Sequence, residues 1–287
     1  MNTFEQYRPL LFSIAYRMLG SAMEAEDMVQ ETYLRYQAVP PEDVQSPKSY
    51  LCTIVTRLCL NHLQSARVQR ETYLGPWLPE PVVNVDDPQV FSPARRAAEY
   101  DSISLAFLVL LENLNPAERA VFLLREVFDY GYDEIADIVD KSEAACRQLF
   151  SRAKKYLAQN RPRFHSTPSQ HQQLLGEFVT AVTQGNLDGL MNLLTEDATF
   201  YGDGGGKARG ASIHPVQGRQ AVAQFVLGST RFTPTDFVFE LVPVNGEMGL
   251  VIRAADGRAT TVVTIEGGNG RIHTIRAIAN PDKLQHI

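Results

Sequence analysis

The strongest constraint on the fold of this chain is a proline-rich segment after its first quarter. Between Gly75 and Pro93 the sequence holds five prolines and shows no apolar periodicity. Proline lacks a backbone N–H donor and clashes inside a helix, so this segment is neither a continuous helix nor a central strand. We therefore expect a linker over residues 73–100, with separately folded segments on either side.

Both sides of this linker carry apolar residues at helical spacing. The first segment predicts a three-helix domain over residues 1–72, and the second predicts another helical domain over residues 101–163. Glycine, proline and turn residues mark where single helices end. These breaks are Gly20, Pro40-Pro41 and Ser46-Pro47 in the first domain, and Asn115-Pro116, Tyr130-Gly131 and Asp140 in the second.

The pattern changes after Arg163. Two amphipathic helical runs are followed by four β-branched segments, which are separated by Asn-Gly, Asp-Gly and glycine-rich turns. The predicted strands cover residues 237–242, 249–253, 259–266 and 271–279. Helices followed by antiparallel strands predict an α+β domain over residues 171–287.

Composition narrows the class of protein. The 287 residues include 27 basic and 33 acidic side chains, and a net charge of -6 by itself disfavours a nucleic-acid-binding protein. The three cysteines form no CxxC pair, which argues against both a disulfide framework and a cysteine zinc site. There is no leader-like N-terminus, and no apolar run approaches the roughly 20 residues that span a bilayer. We expect a cytoplasmic protein without a metal or a cofactor.

Basic charge is nevertheless concentrated at the end of the second helical domain. Residues 141–163 contain seven basic side chains and one acidic side chain. A short helix, a turn at Asp140-Lys141 and the N-cap candidate Ser142 form a helix-turn-helix pattern. One face of its second helix carries Arg147, Gln148, Ser151, Arg152 and Lys155. Any amphipathic hairpin has a polar face, but this turn, cap and charge together favour contacts with base edges and phosphates in a major groove.

The helix predicted after Gly20 carries a more specific signature. The sequence Ala-Glu-Asp-Met-Val-Gln-Glu-Thr-Tyr-Leu-Arg over residues 25–35 resembles region 2.2 of bacterial sigma factors of the extracytoplasmic-function class. Asp27, Gln30 and Glu31 share one helix face. The resemblance implies that they dock on the β′ clamp of core RNA polymerase, and that the β flap is a second contact. On an isolated helix, the same acidic face would indicate only a solvated surface.

The resemblance extends to the promoter-binding regions. Residues 50–71 correspond to the family's regions that open and read the minus-10 element, which implies DNA contacts by Tyr50, Asn61, Arg67 and Arg70. The basic run there is thinner than is usual in the family. The helix-turn-helix resembles region 4, which reads the minus-35 element. Asp140 replaces the family's usual turn glycine, and its short polar side chain tolerates left-handed backbone geometry.

Residues 171–287 resemble the SnoaL-like, ketosteroid-isomerase-like cone fold, which hosts both enzymes and inert binding modules. Three motifs are similar to those of a sigma-factor subgroup with such an extension, which is thought to regulate the sigma factor in place of a separate anti-sigma protein. The motifs are Trp77-Leu78-Pro79-Glu80-Pro81, Asp203-Gly204-Gly205-Gly206-Lys207 and Asn280-Pro281-Asp282-Lys283-Leu284. Trp77 is the sole tryptophan, so we expect it to be buried against the C-terminal domain, with the other two motifs close to the linker.

Catalysis and nucleotide binding receive less support from the sequence. The glycine-rich loop lacks the P-loop spacing, and Ala208 replaces its Ser/Thr, so we expect a tight turn. The titratable candidates Asp203, His214, Glu266 and His273 form no recognisable dyad, so no catalytic residue is assigned. Two alternatives stay open: a stand-alone helix-turn-helix regulator with a small-molecule-binding domain, and a SnoaL-like isomerase or cyclase fused to DNA-binding helices. An apolar cone also leaves room for an unknown small-molecule ligand.

Overall fold

The computed structural model describes residues 3–71, 73–83, 104–160, 166–232 and 236–287. The chain divides into two compact units. The first combines Met1–Glu71 with Val85–Arg161, and the second combines Thr72–Asn84 with Pro162–Ile287. The segment that follows the first three helices therefore belongs to the same unit as the C-terminal domain. Within the described ranges, no helix is both long and apolar enough to cross a membrane.

The first unit begins with a three-helix bundle, as the sequence predicts. Helices α1 (Thr3–Leu19), α2 (Ala22–Gln37) and α3 (Pro47–Glu71) pack against one another. Gly20 ends α1 with a φ of 69°, a left-handed conformation that glycine adopts without strain. The Ser21 hydroxyl accepts a hydrogen bond from the Glu24 amide at 3.1 Å and thereby caps α2. The three cysteines of the chain are free and buried.

Four further helices of the first unit lie within residues 104–160. They are α4 (Leu105–Glu112), α5 (Pro116–Phe122, continued by a π-helical turn over Leu123–Val127), α6 (Tyr132–Val139) and α7 (Glu143–Asn160). Asp140 ends α6 with a φ of 54°, and the Ser142 hydroxyl caps α7 by accepting the Ala145 amide at 3.2 Å. The predicted turn and cap of the helix-turn-helix are confirmed.

The two helical domains are joined by polar contacts of buried Arg119 and exposed Arg57. Arg119 of α5 is 3% exposed, donates to the Met18 carbonyl of α1 at 2.5 Å, and pairs with Glu112 at 2.7 Å. Arg57 of α3 donates to the carbonyl oxygens of Asp137 and Ile138 at 2.7 and 3.0 Å. These carbonyls lie in the last turn of α6, where a cation complements the helix dipole.

Within residues 166–232 and 236–287, the second unit contains three α-helices and one six-stranded sheet. The helices are α8 (Pro168–Thr183), α9 (Leu187–Leu193) and α10 (Arg219–Ser229). The strands are β1 (Leu194–Asp203), β2 (Val216–Gln217), β3 (Phe237–Val244), β4 (Glu247–Ala254), β5 (Ala259–Gly268) and β6 (Arg271–Ile278), in the order β2-β1-β6-β5-β4-β3. Leu175, Phe178 and Val222 from the helices pack on Leu250, Ile265 and Ile275 from the sheet. The α+β class is confirmed.

Two local predictions for this unit are wrong. The sheet is mixed, because β1 lies parallel to β6, whereas the sequence predicts only antiparallel strands. Strand β1 escapes prediction because Glu196 and Asp197 interrupt its apolar pattern and its register shifts between Leu194 and Thr199. Helix α8 begins at Pro168, and the side chains of Thr167 and Gln170 form a capping box around its first turn.

Candidate functional site

The exposed face of α2 combines acidic, amide and apolar side chains. Asp27 and Gln30 are exposed, and Glu31 is half-buried and pairs with Arg35 at 2.8 Å. Met23 and Leu34 flank them on the same helix and are 47% and 60% exposed. Protein interfaces combine apolar and polar side chains in this way, so the composition of this face is compatible with binding another protein. The three predicted residues therefore lie together on an accessible face of α2.

The predicted minus-10 residues are spread along α3. Tyr50 is half-buried, with its ring centroid 6.5 Å from that of Tyr36, whereas Asn61 is exposed. Arg67 and Arg70 lie in the last turns of the helix, but their side chains are outside the described residues. Exposed Asn61 is available to a base, while the Tyr50 ring is already partly packed.

Helix α7 presents the predicted basic face. Arg147, Gln148, Ser151, Arg152 and Lys155 are all exposed, whereas Cys146, Ala153 and Leu157 are buried on the opposite side. The guanidinium of Arg147 lies 4.3 Å from the centre of the Tyr132 ring and pairs with Glu143 at 2.9 Å. These contacts hold Arg147 in place at the first turns of the helix.

A buried ion pair holds the linker on the C-terminal domain. Asp203, the last residue of β1, is fully buried, and its carboxylate accepts hydrogen bonds from the Leu78 amide at 2.8 Å and from the Tyr73 hydroxyl. The same carboxylate pairs with the ammonium of Lys283 at 2.7 Å. Lys283 is 6% exposed and also donates to the Leu78 carbonyl. We call this group of contacts the linker clamp.

Aromatic rings complete the linker clamp. The Lys283 ammonium lies 4.1 Å from the centre of the Trp77 ring and 5.2 Å from that of Tyr73, distances at which a cation is attracted to a ring face. Burial and the neighbouring Asp203 carboxylate raise the pKa of Tyr73 above its usual value, so its hydroxyl remains a donor. Trp77 is half-buried and Leu78 is buried, so the prediction of a buried tryptophan holds only in part.

The other two motifs lie beside the linker as the sequence predicts. Asn280 donates to the Tyr73 hydroxyl at 2.9 Å, and Lys207 pairs with Asp282 on the surface. Gly205 has a φ of 56°, and a Cβ there would lie 2.4 Å from the Asn280 amide nitrogen. The glycine at this position therefore permits both a left-handed turn and the close approach of Asn280.

Sequence reasoning misses several residues that hold the linker. Tyr73 precedes the tryptophan motif and joins the clamp through its hydroxyl. Asn245, in the turn between β3 and β4, exchanges two hydrogen bonds of 2.9 Å with the backbone of Val82. His286 contacts the Pro81 carbonyl at 3.0 Å. Isolated polar residues such as these carry no spacing signal, and only the fold brings them to the linker.

An apolar cavity of about 330 Å³ lies inside the C-terminal domain. Among the described residues that line it there is no Asp, Glu or His. Asp203 serves the linker clamp, Glu266 pairs with Arg276, and His214 is exposed. His273 lies 3.1 Å from the Thr274 hydroxyl, and burial lowers the pKa of its imidazole. The four titratable candidates are therefore not brought together at the cavity.

The chain belongs to the extracytoplasmic-function (ECF) sigma factors of RNA polymerase. It matches the families "Sigma-70 region 2" over residues 3–68, "Sigma-70, region 4" over residues 104–157 and "SnoaL-like domain" over residues 175–279. It is 37% identical to "ECF RNA polymerase sigma factor SigJ" of Mycobacterium tuberculosis, over 99% of this chain and 93% of the relative. It is also 36% identical to "Probable ECF RNA polymerase sigma factor SigI" of the same species, over 98% of this chain and 93% of the relative.

A solved structure agrees with this assignment. The crystal structure of the Mycobacterium tuberculosis sigma factor SigJ superimposes with a TM-score of 0.75 and 34% sequence identity, covering 98% of this chain and 97% of that one. The order of two helical sigma regions followed by a SnoaL-like domain, predicted from the sequence, is confirmed.

Proposed function

We propose that this chain binds bacterial core RNA polymerase, directs it to promoters through minus-10 and minus-35 contacts, and is regulated in cis by its C-terminal domain. The observation that carries the proposal is the exposed face of α2, where Asp27 and Gln30 lie between Met23 and Leu34. A stand-alone DNA-binding regulator has no use for such a surface. Transcription is the work of the cytoplasmic polymerase, so the chain acts in the cytoplasm.

A pull-down with purified core polymerase tests this assignment. Asp27→Lys reverses a charge on the exposed face of α2 and is expected to abolish binding without unfolding the bundle. The matched control is Glu5→Lys, which reverses an exposed charge on α1. If core polymerase retains both variants equally, the exposed face of α2 does not bind it, and the stand-alone regulator is favoured.

Promoter binding is assigned to α3 and α7. The exposed donors of α7 occupy one face of the second helix of a helix-turn-helix, the element that enters the major groove in such motifs. Arg152 and Lys155 have no ion-pair partner among the described residues and are available for phosphate or base contact. Arg147, stacked on Tyr132, is oriented before DNA arrives. Asn61 on α3 is the exposed candidate for a minus-10 base.

The contacts within the first unit imply an opening step. Arg57 ties α3 to the last turn of α6, so the minus-10 helix and the helix-turn-helix are packed together. Promoter elements about 17 base pairs apart are separated by roughly 58 Å at 3.4 Å per step. Both elements cannot be bound at once by packed domains, so the two helical domains separate when the chain engages a promoter.

Regulation is assigned to the linker clamp. The linker connects the two helical domains in sequence, and its residues 73–83 form one compact unit with the C-terminal domain. Asp203 and Lys283 hold it through a buried ion pair and through both backbone groups of Leu78. Holding the linker limits how the helical domains separate, so the state of the clamp controls promoter engagement.

The C-terminal domain regulates without catalysis. General acid–base chemistry needs a titratable group within hydrogen-bond reach of the substrate. The described lining of the cavity offers no carboxyl or imidazole group for this role. A SnoaL-like isomerase would need one there, so incubation of the full chain with a panel of small ketones should give no turnover above that of buffer.

A further inference from the structure

The cavity in the C-terminal domain has an apolar interior. Phenylalanine rings from a helix and two strands line it, together with aliphatic side chains: Phe178, Phe200, Phe239, Val182, Leu250 and Ile275. Three lining hydroxyls donate to backbone carbonyls instead of facing a ligand. These are Ser229 and Thr230, each at 2.7 Å, and Thr260 at 3.0 Å. A molecule held here would be recognised chiefly through apolar contact.

The charged side chain of Arg209 lies at the edge of this cavity. Arg209 is the only charged residue among the described residues that line it, and it is exposed to solvent. No ion pair to Arg209 is formed within the described part of the chain. A guanidinium in this position favours a carboxylate, whose charge stays hydrated at the surface while the apolar body is buried.

The wall of the cavity adjoins the linker clamp. Gly202 and residues 208–211 line the cavity, and Asp203 lies between them in the chain. Ala279 lines the cavity too, and its amide donates to the Asp203 carbonyl at 2.8 Å. The loop is stiffened at Gly204, whose carbonyl accepts the amides of Lys207 and Ala208 at 2.9 and 3.0 Å. One face of this segment therefore meets the cavity while the Asp203 carboxylate holds the linker.

We infer that the cavity binds a small hydrophobic carboxylate, with its apolar body inside and its charge at Arg209, and that binding tightens the linker clamp. This inference rests on the proposed regulation of the linker and supplies the chemical class of its signal. A ligand packed against residues 208–211 supports the wall that positions Asp203. If release of the linker disrupts this wall, so that the released state does not bind the ligand, ligand at 100 times its Kd lowers the equilibrium constant for linker release about 100-fold.

The test uses the full chain and two matched probes, 2-naphthoate and the neutral 2-naphthamide. Calorimetric titration measures binding, and hydrogen exchange followed by mass spectrometry measures protection of residues 73–83. We expect 2-naphthoate to bind more tightly than 2-naphthamide and to slow exchange of the Leu78 amide. Arg209→Gln should remove this preference, whereas Lys207→Gln, an exposed cation in the same loop that does not line the cavity, should preserve it.

Two cavity-filling variants guard against a folding failure. Ala277→Leu fills the cavity from β6, and Val182→Phe fills it from α8. Either variant, if it folds, should bind neither 2-naphthoate nor 2-naphthamide, so the test needs only one of them to fold. Absence of 2-naphthoate binding to the full chain overturns the site. Binding without any change in exchange of residues 73–83 overturns the coupling. Neither readout involves polymerase, so both outcomes are separate from failure of the proposed sigma-factor surfaces.

Discussion

Replacing Asp203 with alanine removes the centre of the linker clamp. The substitution deletes the carboxylate that accepts the Leu78 amide and the Tyr73 hydroxyl. It also leaves the buried Lys283 ammonium without its carboxylate partner. The side chains of this pair are 0% and 7% exposed, so water does not compensate for the lost charge in the folded state.

The size of this effect follows from the burial of the pair. Removing one member of a buried ion pair costs about 3–5 kcal/mol, because the other charge stays desolvated. The penalty falls on the closed clamp and disappears when the linker detaches and Lys283 reaches water. Since about 1.4 kcal/mol is a tenfold change in an equilibrium constant, linker opening should increase by a factor of roughly 100 to 4,000.

Hydrogen exchange at the Leu78 amide measures this opening directly, and the fluorescence of Trp77 reports it independently. We expect faster exchange over residues 73–83 and a red-shifted emission, with unchanged far-UV circular dichroism. Lys207→Ala is the control, because its ion pair with Asp282 is about half exposed and is worth less than about 1 kcal/mol. If Asp203→Ala and Lys207→Ala accelerate exchange equally, the buried pair does not hold the linker.

Three further outcomes are expected. Arg152→Ala should reduce transcription from a promoter with the cognate minus-35 element but not from one with a scrambled element, a loss of about 1–3 kcal/mol of discrimination. The control is Lys154→Ala, which should affect both promoters alike, because the Lys154 ammonium pairs with Glu126 at 3.2 Å. Arg57→Ala should speed hydrogen exchange at the end of α6, because it removes two hydrogen bonds to carbonyl oxygens there. Unchanged exchange would show that Arg57 does not stabilise this helix end. Burial lowers the pKa of His273, so its stabilising contribution is present above pH 6.5 and is lost as the pH falls through its folded pKa. Denaturant titrations of His273→Gln should show a smaller loss of stability at acidic pH than the parent chain.

Elements with a strong local signal could be predicted from the sequence. Gly20, Asp140 and Ser142 mark helix ends through backbone geometry and capping, which depend on residues close in the chain. The exposed faces of α2 and α7 follow from helical periodicity, and the structure places each set of polar residues together. The domain order was predictable for the same reason, since every segment has its own periodicity or turn residues.

Contacts between distant segments could not be predicted in the same detail. The motifs indicated that the linker meets the C-terminal domain, but not that Asp203 and Lys283 form a buried pair around Leu78. Strand β1 was missed because pairing with β6, not local propensity, determines it. The packing of Arg57 on the end of α6 depends on a separation of 80 residues, which no local pattern encodes.

Promoter-specific transcription by core polymerase tests the regulatory claim most directly, using the full chain and two truncations. Ending the chain before Asn280 removes Lys283 but keeps the strands, so we expect release of the linker and more transcript than with the full chain. Ending it before His171 removes the whole domain that supports the linker, so we expect less transcript. Transcript levels unchanged by both truncations would contradict regulation by the C-terminal domain.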